Sequence, residues 1–305
     1  MIDVCLVGTA GTVPLPGRAL AAALIRVGGN MYLADCGEGT QVAMRAPGWG
    51  FGGLTAILLT HVHADHIAGL PGLLLTLGMS GRQDPLTVYG TRQTIDAARS
   101  LAVLVPGLPF EVRIQELNGG AAIDLASDLR LTTIDLDHRM PCLGYRFDLA
   151  RRRRFDRSRA EARGIPIELW NSLQHGQSVS WPGGHAEPDD VLGPPRPGLS
   201  VAYVTDTRPT DAIVRFAEEA DLLICEATFM APDDHQRAVD HQHMHLDETC
   251  ALAARARARR LWVTHISQAI TDPAAYAPHA AEIFPATTIG YDGLTTRLDF
   301  ADDDG

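Results

Sequence analysis

The chain has 305 residues, of which 46% are hydrophobic, enough for one large domain or two average ones with a substantial core. A net charge of −11 argues against a surface that binds nucleic acid indiscriminately. The absence of any apolar run of about 18 residues argues against a membrane span.

In chain order, Ile2 to Val7 predicts a strand, followed by a Gly/Thr loop, Gly8-Thr9-Ala10-Gly11-Thr12. Leu24 to Val27 and Met31 to Ala34 flank Gly28-Gly29-Asn30 and read as a hairpin. A tight turn, Asp35-Cys36-Gly37-Glu38-Gly39, leads to a short helix over Gln41 to Ala46. Thr55-Ala56-Ile57-Leu58-Leu59 predicts a strand that runs directly into Thr60-His61-Val62-His63-Ala64-Asp65-His66, and Ile67 to Leu77 a buried helix or turn-helix. Strands are expected at Leu86 to Tyr89, Val112 to Leu117, Leu129 to Leu136 and Leu143 to Phe147, with a helix at Arg92 to Leu104. From Asp148 to Leu199 the pattern degrades into Arg, Pro, Gly and Asp, and the segment reads as a projecting arm. Regular elements resume with strands at Val201 to Val204, Asp221 to Cys225 and Leu261 to Thr264. Helices are expected at Asp211 to Glu219 and at Glu248 to Arg259, the latter capped by Asp247, and two short strands near Thr287 to Gly290 and Leu294 to Phe300 close the chain.

The N-terminus lacks the basic segment and cleavage site of a signal peptide. The five cysteines, Cys5, Cys36, Cys142, Cys225 and Cys250, are scattered without a CxxC pair, so reduced thiols are expected. Both features predict a cytoplasmic protein. All 26 basic residues are arginine, and seven of them, Arg151 to Arg154, Arg157, Arg159 and Arg163, fall between Arg151 and Arg163.

Four apolar strands end in a metal-type ligand: Leu59-Thr60 leads to His61, Leu136-Asp137 to His138, Val204-Thr205 to Asp206, and Val263-Thr264 to His265. Ligand crevices of α/β sheets lie beyond the carboxyl ends of strands, so one shared site is expected. His61, His63, Asp65, His66, His138, Asp206 and His265 make seven candidate ligands, too many for one zinc. Seven suit two metals sharing a carboxylate and a water, the arrangement that hydrolyses a phosphodiester or an activated acyl bond.

The Thr-His-x-His-x-Asp-His stretch with the distant His138, Asp206 and His265 resembles the metallo-β-lactamase superfamily, and within it the ribonuclease Z family of tRNA 3′ endonucleases. The likeness runs nearly end to end, through Gly8-Thr9 with Pro14 and Arg18, Asp35 to Gln41, His66 to Leu74, Leu192 to Gly198, Asp206 to Pro209, Glu226 to Phe229 and Thr264 to Ser267. It implies an α/β fold, the metallo-β-lactamase αβ/βα four-layer sandwich, as a single domain over 1–305 with an inserted arm at 148–199. It implies two zinc ions, or manganese or another divalent metal. His61, His63 and His138 would hold one, Asp65, His66 and His265 the other, with Asp206 bridging. Asp65 would orient or deprotonate the attacking water. The family's leaving-group histidine, 22 residues before the last ligand, falls at His243; His245, ahead of a good helix start, is the second candidate. Glu226 would orient that histidine.

Phe155-Asp156, Ala162 to Pro166 and Gly176 to Val179 resemble the family's tRNA-gripping arm, where Arg151, Arg152, Arg153, Arg154 and Arg157 would contact phosphates. The implied substrate is precursor tRNA, cut on the 3′ side of the acceptor stem, and the implied assembly is a homodimer. Two family elements are missing. Ile167-Glu168-Leu169-Trp170 stands where a Pro-Gly-Pro turn is usual, and Gln268-Ala269 where an Arg-Tyr pair is usual. The alternative is therefore a related metallohydrolase acting on another phosphodiester or ester. A metal-binding protein without turnover is a third reading, and the seven-ligand set argues against it.

Overall fold

The computed structural model describes residues 1–301. The first half of the chain forms β1 (Ile2–Gly8), β2 (Ala22–Val27), β3 (Asn30–Ala34), α1 (Thr40–Ala43), β4 (Leu54–Leu58), α2 (Ala64–Ile67), α3 (Leu70–Met79), β5 (Leu86–Gly90), α4 (Arg92–Ala102) and β6 (Val112–Glu116). Next come β7 (Ala122–Ala126), β8 (Leu129–Asp135), β9 (Leu143–Arg151), α5 (Arg157–Ala162), α6 (Ile167–Gln174), β10 (Val179–Trp181), β11 (Gly184–Ala186) and α7 (Pro188–Val191). The chain then runs through β12 (Arg196–Val204), α8 (Asp211–Phe216), β13 (Leu222–Glu226), α9 (His235–His241), α10 (Leu246–Arg255), β14 (Leu261–Thr264), α11 (Ala277–Ile283), β15 (Thr287–Ile289) and β16 (Thr295–Leu298).

Contacts divide these elements into two units, Met1–Asp148 with Leu199–Asp299, and Leu149–Gly198 with Phe300 and Ala301. The larger unit is built on two seven-stranded sheets, ordered β16-β1-β2-β3-β4-β5-β6 and β15-β14-β13-β12-β9-β8-β7. Each combines antiparallel strands with a parallel run, β3 to β6 in one and β12 to β15 in the other. Parallel strands covered on both faces need unbroken apolar sequence, and β13 (Leu222–Glu226) and β14 (Leu261–Thr264) are buried at every residue. Tyr145 Oη donates to the Leu59 carbonyl at 2.7 Å, and the Tyr32 and Phe147 rings pack with centroids 5.9 Å apart, tying the inner faces together. The outer face of the first sheet carries α3 and α4 over a core of Leu70, Leu73, Leu74 and Leu77; the outer face of the second carries α8, α10 and α11 over Ile213, Leu246, Leu252 and Ala280.

Strand ends converge because of close backbone packing between the first two ligand-side turns. A Cβ on Gly37 would meet the Asp65 carbonyl oxygen at 2.0 Å, and one on Gly69 would meet that of Gly37 at 1.9 Å. Only glycine permits that approach, and it lets Cys36 N donate to His66 O (2.8 Å) and Gly69 N to Cys36 O (2.9 Å).

The smaller unit has its own core of Ala160, Ile165, Leu173, Val179, Ala186 and Val191, with Trp170 and Phe155 packed against it. The segment read as irregular thus holds three short helices and a hairpin. Elsewhere, β7, α9 and α11 were not expected. They are short, and α9 and α11 mix alanine with polar residues, leaving little apolar periodicity to detect. Helix α10 begins at Leu246, and its N-cap is His245 rather than Asp247: His245 Nδ1 accepts from Asp247 N and Glu248 reaches back to His245 N in a capping box.

Candidate metal centre

Every one of the seven candidate ligands is brought to one place by a strand end or the turn after it. His61 and Asp206 are buried, and His63, His138, His61 and Asp206 present ligand atoms within 4.8 Å of one another. Asp65, His66 and His265 form a second such group. Asp206 faces both: its Oδ1 lies 3.4 Å from His66 Nε2 and 3.3 Å from His265 Nε2, while its Oδ2 lies 3.6 Å from His61 Nε2 and 3.9 Å from His138 Nε2. Asp65 Oδ2 stands 3.4 Å from both His66 Nε2 and His265 Nε2 and accepts from Thr12 N at 2.8 Å.

The remote ring nitrogens are anchored, which fixes which nitrogen looks inward. His66 Nδ1 donates to Asp35 Oδ2 (2.8 Å) and His138 Nδ1 to the Gln242 carbonyl (3.2 Å). His61 Nδ1 donates to Thr60 Oγ1 (3.0 Å), which passes its own proton to Asp35 (2.9 Å). His265 Nδ1 donates to Thr228 Oγ1 (2.9 Å), which in turn donates to Glu226 Oε2 (2.7 Å). Two threonine relays thus end on two wholly buried carboxylates. Such partners orient metal-binding histidines and raise their basicity.

The inward atoms fit divalent metal. His61 Nε2 and His63 Nδ1 approach to 2.8 Å and His66 Nε2 and His265 Nε2 to 3.3 Å, so lone pairs converge without protein donors between them. Burial and neighbouring imidazoles push His61 below the ordinary histidine range, and burial also lowers His63 and His138, leaving neutral ligands. Burial alone would raise Asp206 and Asp65, yet the surrounding histidines hold both carboxylates ionised far below their usual range. An imidazole and carboxylate donor set of this kind suits zinc and its borderline neighbours.

His243 joins the edge of this cluster. Its Nδ1 donates to Glu226 (3.1 Å to Oε1), and its ring lies 5.4 Å from those of His138 and His265. Burial opposes its charge, but the Glu226 carboxylate outweighs burial and raises it to about 9. Its backbone carbonyl and Glu248 are both held by the Arg208 guanidinium. His245 is not brought to the cluster. It caps α10, donates from Nε2 to the Ala231 carbonyl (3.0 Å) and stacks on His235.

The arm arginines divide. Arg153 donates to the Gly193 and Leu192 carbonyls and pairs with Asp189, so it serves the arm's own structure. Arg151 donates to the Ala301 carbonyl and lies over the Phe300 ring. Arg157 pairs with Glu161 in an exposed i,i+4 bridge beside Trp170. The Arg152 guanidinium lies 3.4 Å from His175 Nε2, and Arg154 is exposed.

The residues that sequence reading missed are Asp35, Thr60, Thr228 and Arg208. Asp35 accepts from Thr60 N, Thr60 Oγ1, His66 Nδ1 and Tyr203 Oη. The signal for Asp35 was present: it too follows an apolar strand, β3.

A family model for the beta-lactamase superfamily domain matches residues 30–156 and 191–266. A ribonuclease Z from Lachnospira eligens is 42% identical over 305 residues, covering 100% of both chains. One from Clostridium acetobutylicum is 38% identical, covering 98% of this chain and 99% of its own. Among solved structures, the short form of human tRNase Z superposes with a TM-score of 0.70 at 23% identity, covering 98% of this chain and 100% of its own. A metallo-beta-lactamase fold protein, YhfI from Bacillus subtilis, also reaches 0.70, at 20% identity over 97% of this chain and 98% of its own. With relatives this similar over its full length and the fold shared, the chain belongs to the ribonuclease Z family of the metallo-β-lactamase superfamily.

Proposed function

We propose that this chain is a metal-dependent endoribonuclease that removes 3′ trailers from precursor tRNA. The observation that carries the reading is the buried cluster of five histidines and two aspartates in a chain that is 42% identical, end to end, to a ribonuclease Z. His61, His63 and His138 would hold one divalent ion and Asp65, His66 and His265 a second, with one oxygen of Asp206 turned to each. Zinc fits the donors best, and manganese is the main competitor. When bound, the ions supply Lewis acidity at the scissile phosphate and acidify a water.

The remaining steps belong to side chains. Asp65, ionised and fixed by Thr12 N, accepts the proton of the attacking water. As the water oxygen bonds to phosphorus, the phosphorus–oxygen bond to the trailer junction breaks. His243, protonated near neutrality and aimed by Glu226, delivers its Nε2 proton to the departing oxygen. Arg208 holds His243 in place through its backbone.

A cytoplasmic homodimer is part of the same reading, and no described helix is long and apolar enough to cross a membrane. Incubating the purified protein with precursor tRNA and zinc or manganese, then mapping the products, tests the proposal. A single cut on the 3′ side of the acceptor stem is expected. Intact precursor beside hydrolysis of a small phosphodiester would favour the second reading, a metallohydrolase for another substrate, to which Gln268-Ala269 in place of an Arg-Tyr pair already points.

A further inference from the structure

A second group of ligands lies apart from the seven already described. His235, His245 and Asp247 present ligand atoms within 4.8 Å of one another. His235 Nε2 is 3.5 Å and His245 Nδ1 3.7 Å from Asp247 Oδ2, and His279 Nε2 reaches Asp247 Oδ1 at 2.7 Å. The His235 and His245 rings stack 3.7 Å apart at 29°, and one nitrogen of each lies near the same Asp247 oxygen.

We propose that His235, His245 and Asp247 form an accessory site for a borderline-soft divalent cation such as zinc, distinct from the catalytic centre, with His279 holding the Asp247 carboxylate from outside. Two imidazoles and one carboxylate, with water in the fourth position, are a donor set that zinc takes in a four-coordinate arrangement. His245 is prepared for the role. It is buried, and its Nε2–H is committed to the Ala231 carbonyl at 3.0 Å, so Nδ1 is the unprotonated nitrogen. A remote N–H given to a backbone carbonyl is the usual support of a metal-binding histidine. The competing partner of Nδ1 is Asp247 N at 3.2 Å, a long bond that a cation can replace. The Asp247 carboxylate supplies the negative charge a dication needs beside helix N-termini.

The placement gives the site a consequence. His235 opens α9, Asp247 lies in the first turn of α10, and His279 lies in α11. The connector between α9 and α10 carries His243, the proposed proton donor. A bound cation would tie the start of α9 to the first turn of α10, and so brace that connector without touching the reacting atoms.

The test is metal stoichiometry. Full-length protein is equilibrated with excess zinc, freed of unbound metal by equilibrium dialysis, and assayed for zinc per chain. The double variant His235→Ala with His279→Ala, both exposed positions, is treated identically. The wild type is expected to hold one more equivalent than the variant, whatever the occupancy of the catalytic centre. Zinc should also slow amide exchange at His243 and Met244 in the wild type beyond its effect in the variant. Cleavage of a small diester should stay within twofold. Equal zinc per chain in the two proteins would overturn the proposal. Should the double variant fail to fold, His235→Ala alone, compared for zinc affinity at limiting metal, decides the matter: unchanged affinity counts against the site.

Discussion

The metal centre and the arm spend their charged residues in opposite ways. At the centre nearly every imidazole has its outer nitrogen fixed by one partner, such as Asp35 for His66 or Thr228 for His265, so the inner nitrogen has one direction. In the arm, exposed guanidiniums sit in pairs that water and salt weaken, such as Arg157 with Glu161, and in the proposed tRNA complex they would exchange those pairs for phosphates. Chemistry needs atoms held within tenths of an ångström, whereas gripping a polyanion needs charge in the right region.

The largest effect that sharpens this contrast is expected at Asp65. Asp65→Ala should lower kcat by about 10³-fold, on precursor tRNA and on a small diester alike, with an unchanged circular dichroism spectrum. Retained turnover on the diester would remove Asp65 from the mechanism. His243→Ala should cost about 10²-fold, while Glu226→Gln should cost less and change the pH profile. The Glu226 carboxylate stabilises the protonated ring of His243, raised to about 9, so the rate should fall as pH rises through that region. Without the carboxylate that fall should begin at lower pH, and an unmoved alkaline limb would show that Glu226 does not govern the proton donor.

The arm is expected to act on one substrate only. Deleting Asp148 to Leu199 should reduce cleavage of precursor tRNA at least about tenfold more than cleavage of a small diester, as loss of several phosphate contacts requires. Equal losses would reduce the arm to a structural element. The smallest effects separate arginines within it. Arg152→Ala should raise KM for tRNA a few-fold and reduce the salt slope by about 1. Arg153→Ala should instead loosen the contacts to Gly193 and Leu192 and expose the arm to limited proteolysis. The reverse pattern would mean that the Arg153 guanidinium faces the RNA.

What was legible in the sequence follows from the same contrast. Unbroken apolar strands ending in His or Asp announce themselves, because burial on both faces forces the run and the polar residue breaks it. The relays through Thr60 and Thr228 were not legible, since a threonine after a strand gives no sign of which way its hydroxyl turns. The arm's helices were hidden because a core of six small or medium residues is spread over some fifty positions, too thinly to leave a period. His245 misled for a physical reason: a histidine before Leu246-Asp247 fits a catalytic loop and a helix cap equally well by spacing, and only the direction of its ring separates them.

Three of the corner residues share a backbone feature. Asp35, Asp206 and His265 have φ of 62°, 48° and 53°, the left-handed region that few side chains enter. The site therefore restricts its own evolution twice over, once through the metal and once through the turn. Asp206→Asn keeps a residue that tolerates the corner and removes only the charge, so it isolates electrostatics. Asp206→Glu keeps the charge but adds a penalty of about 1–2 kcal/mol for the backbone, before any question of reach. Retuning this centre for another metal by exchanging ligands would thus meet its first resistance in the main chain, and the tolerant route runs through Asn and Gly rather than through chemically closer side chains.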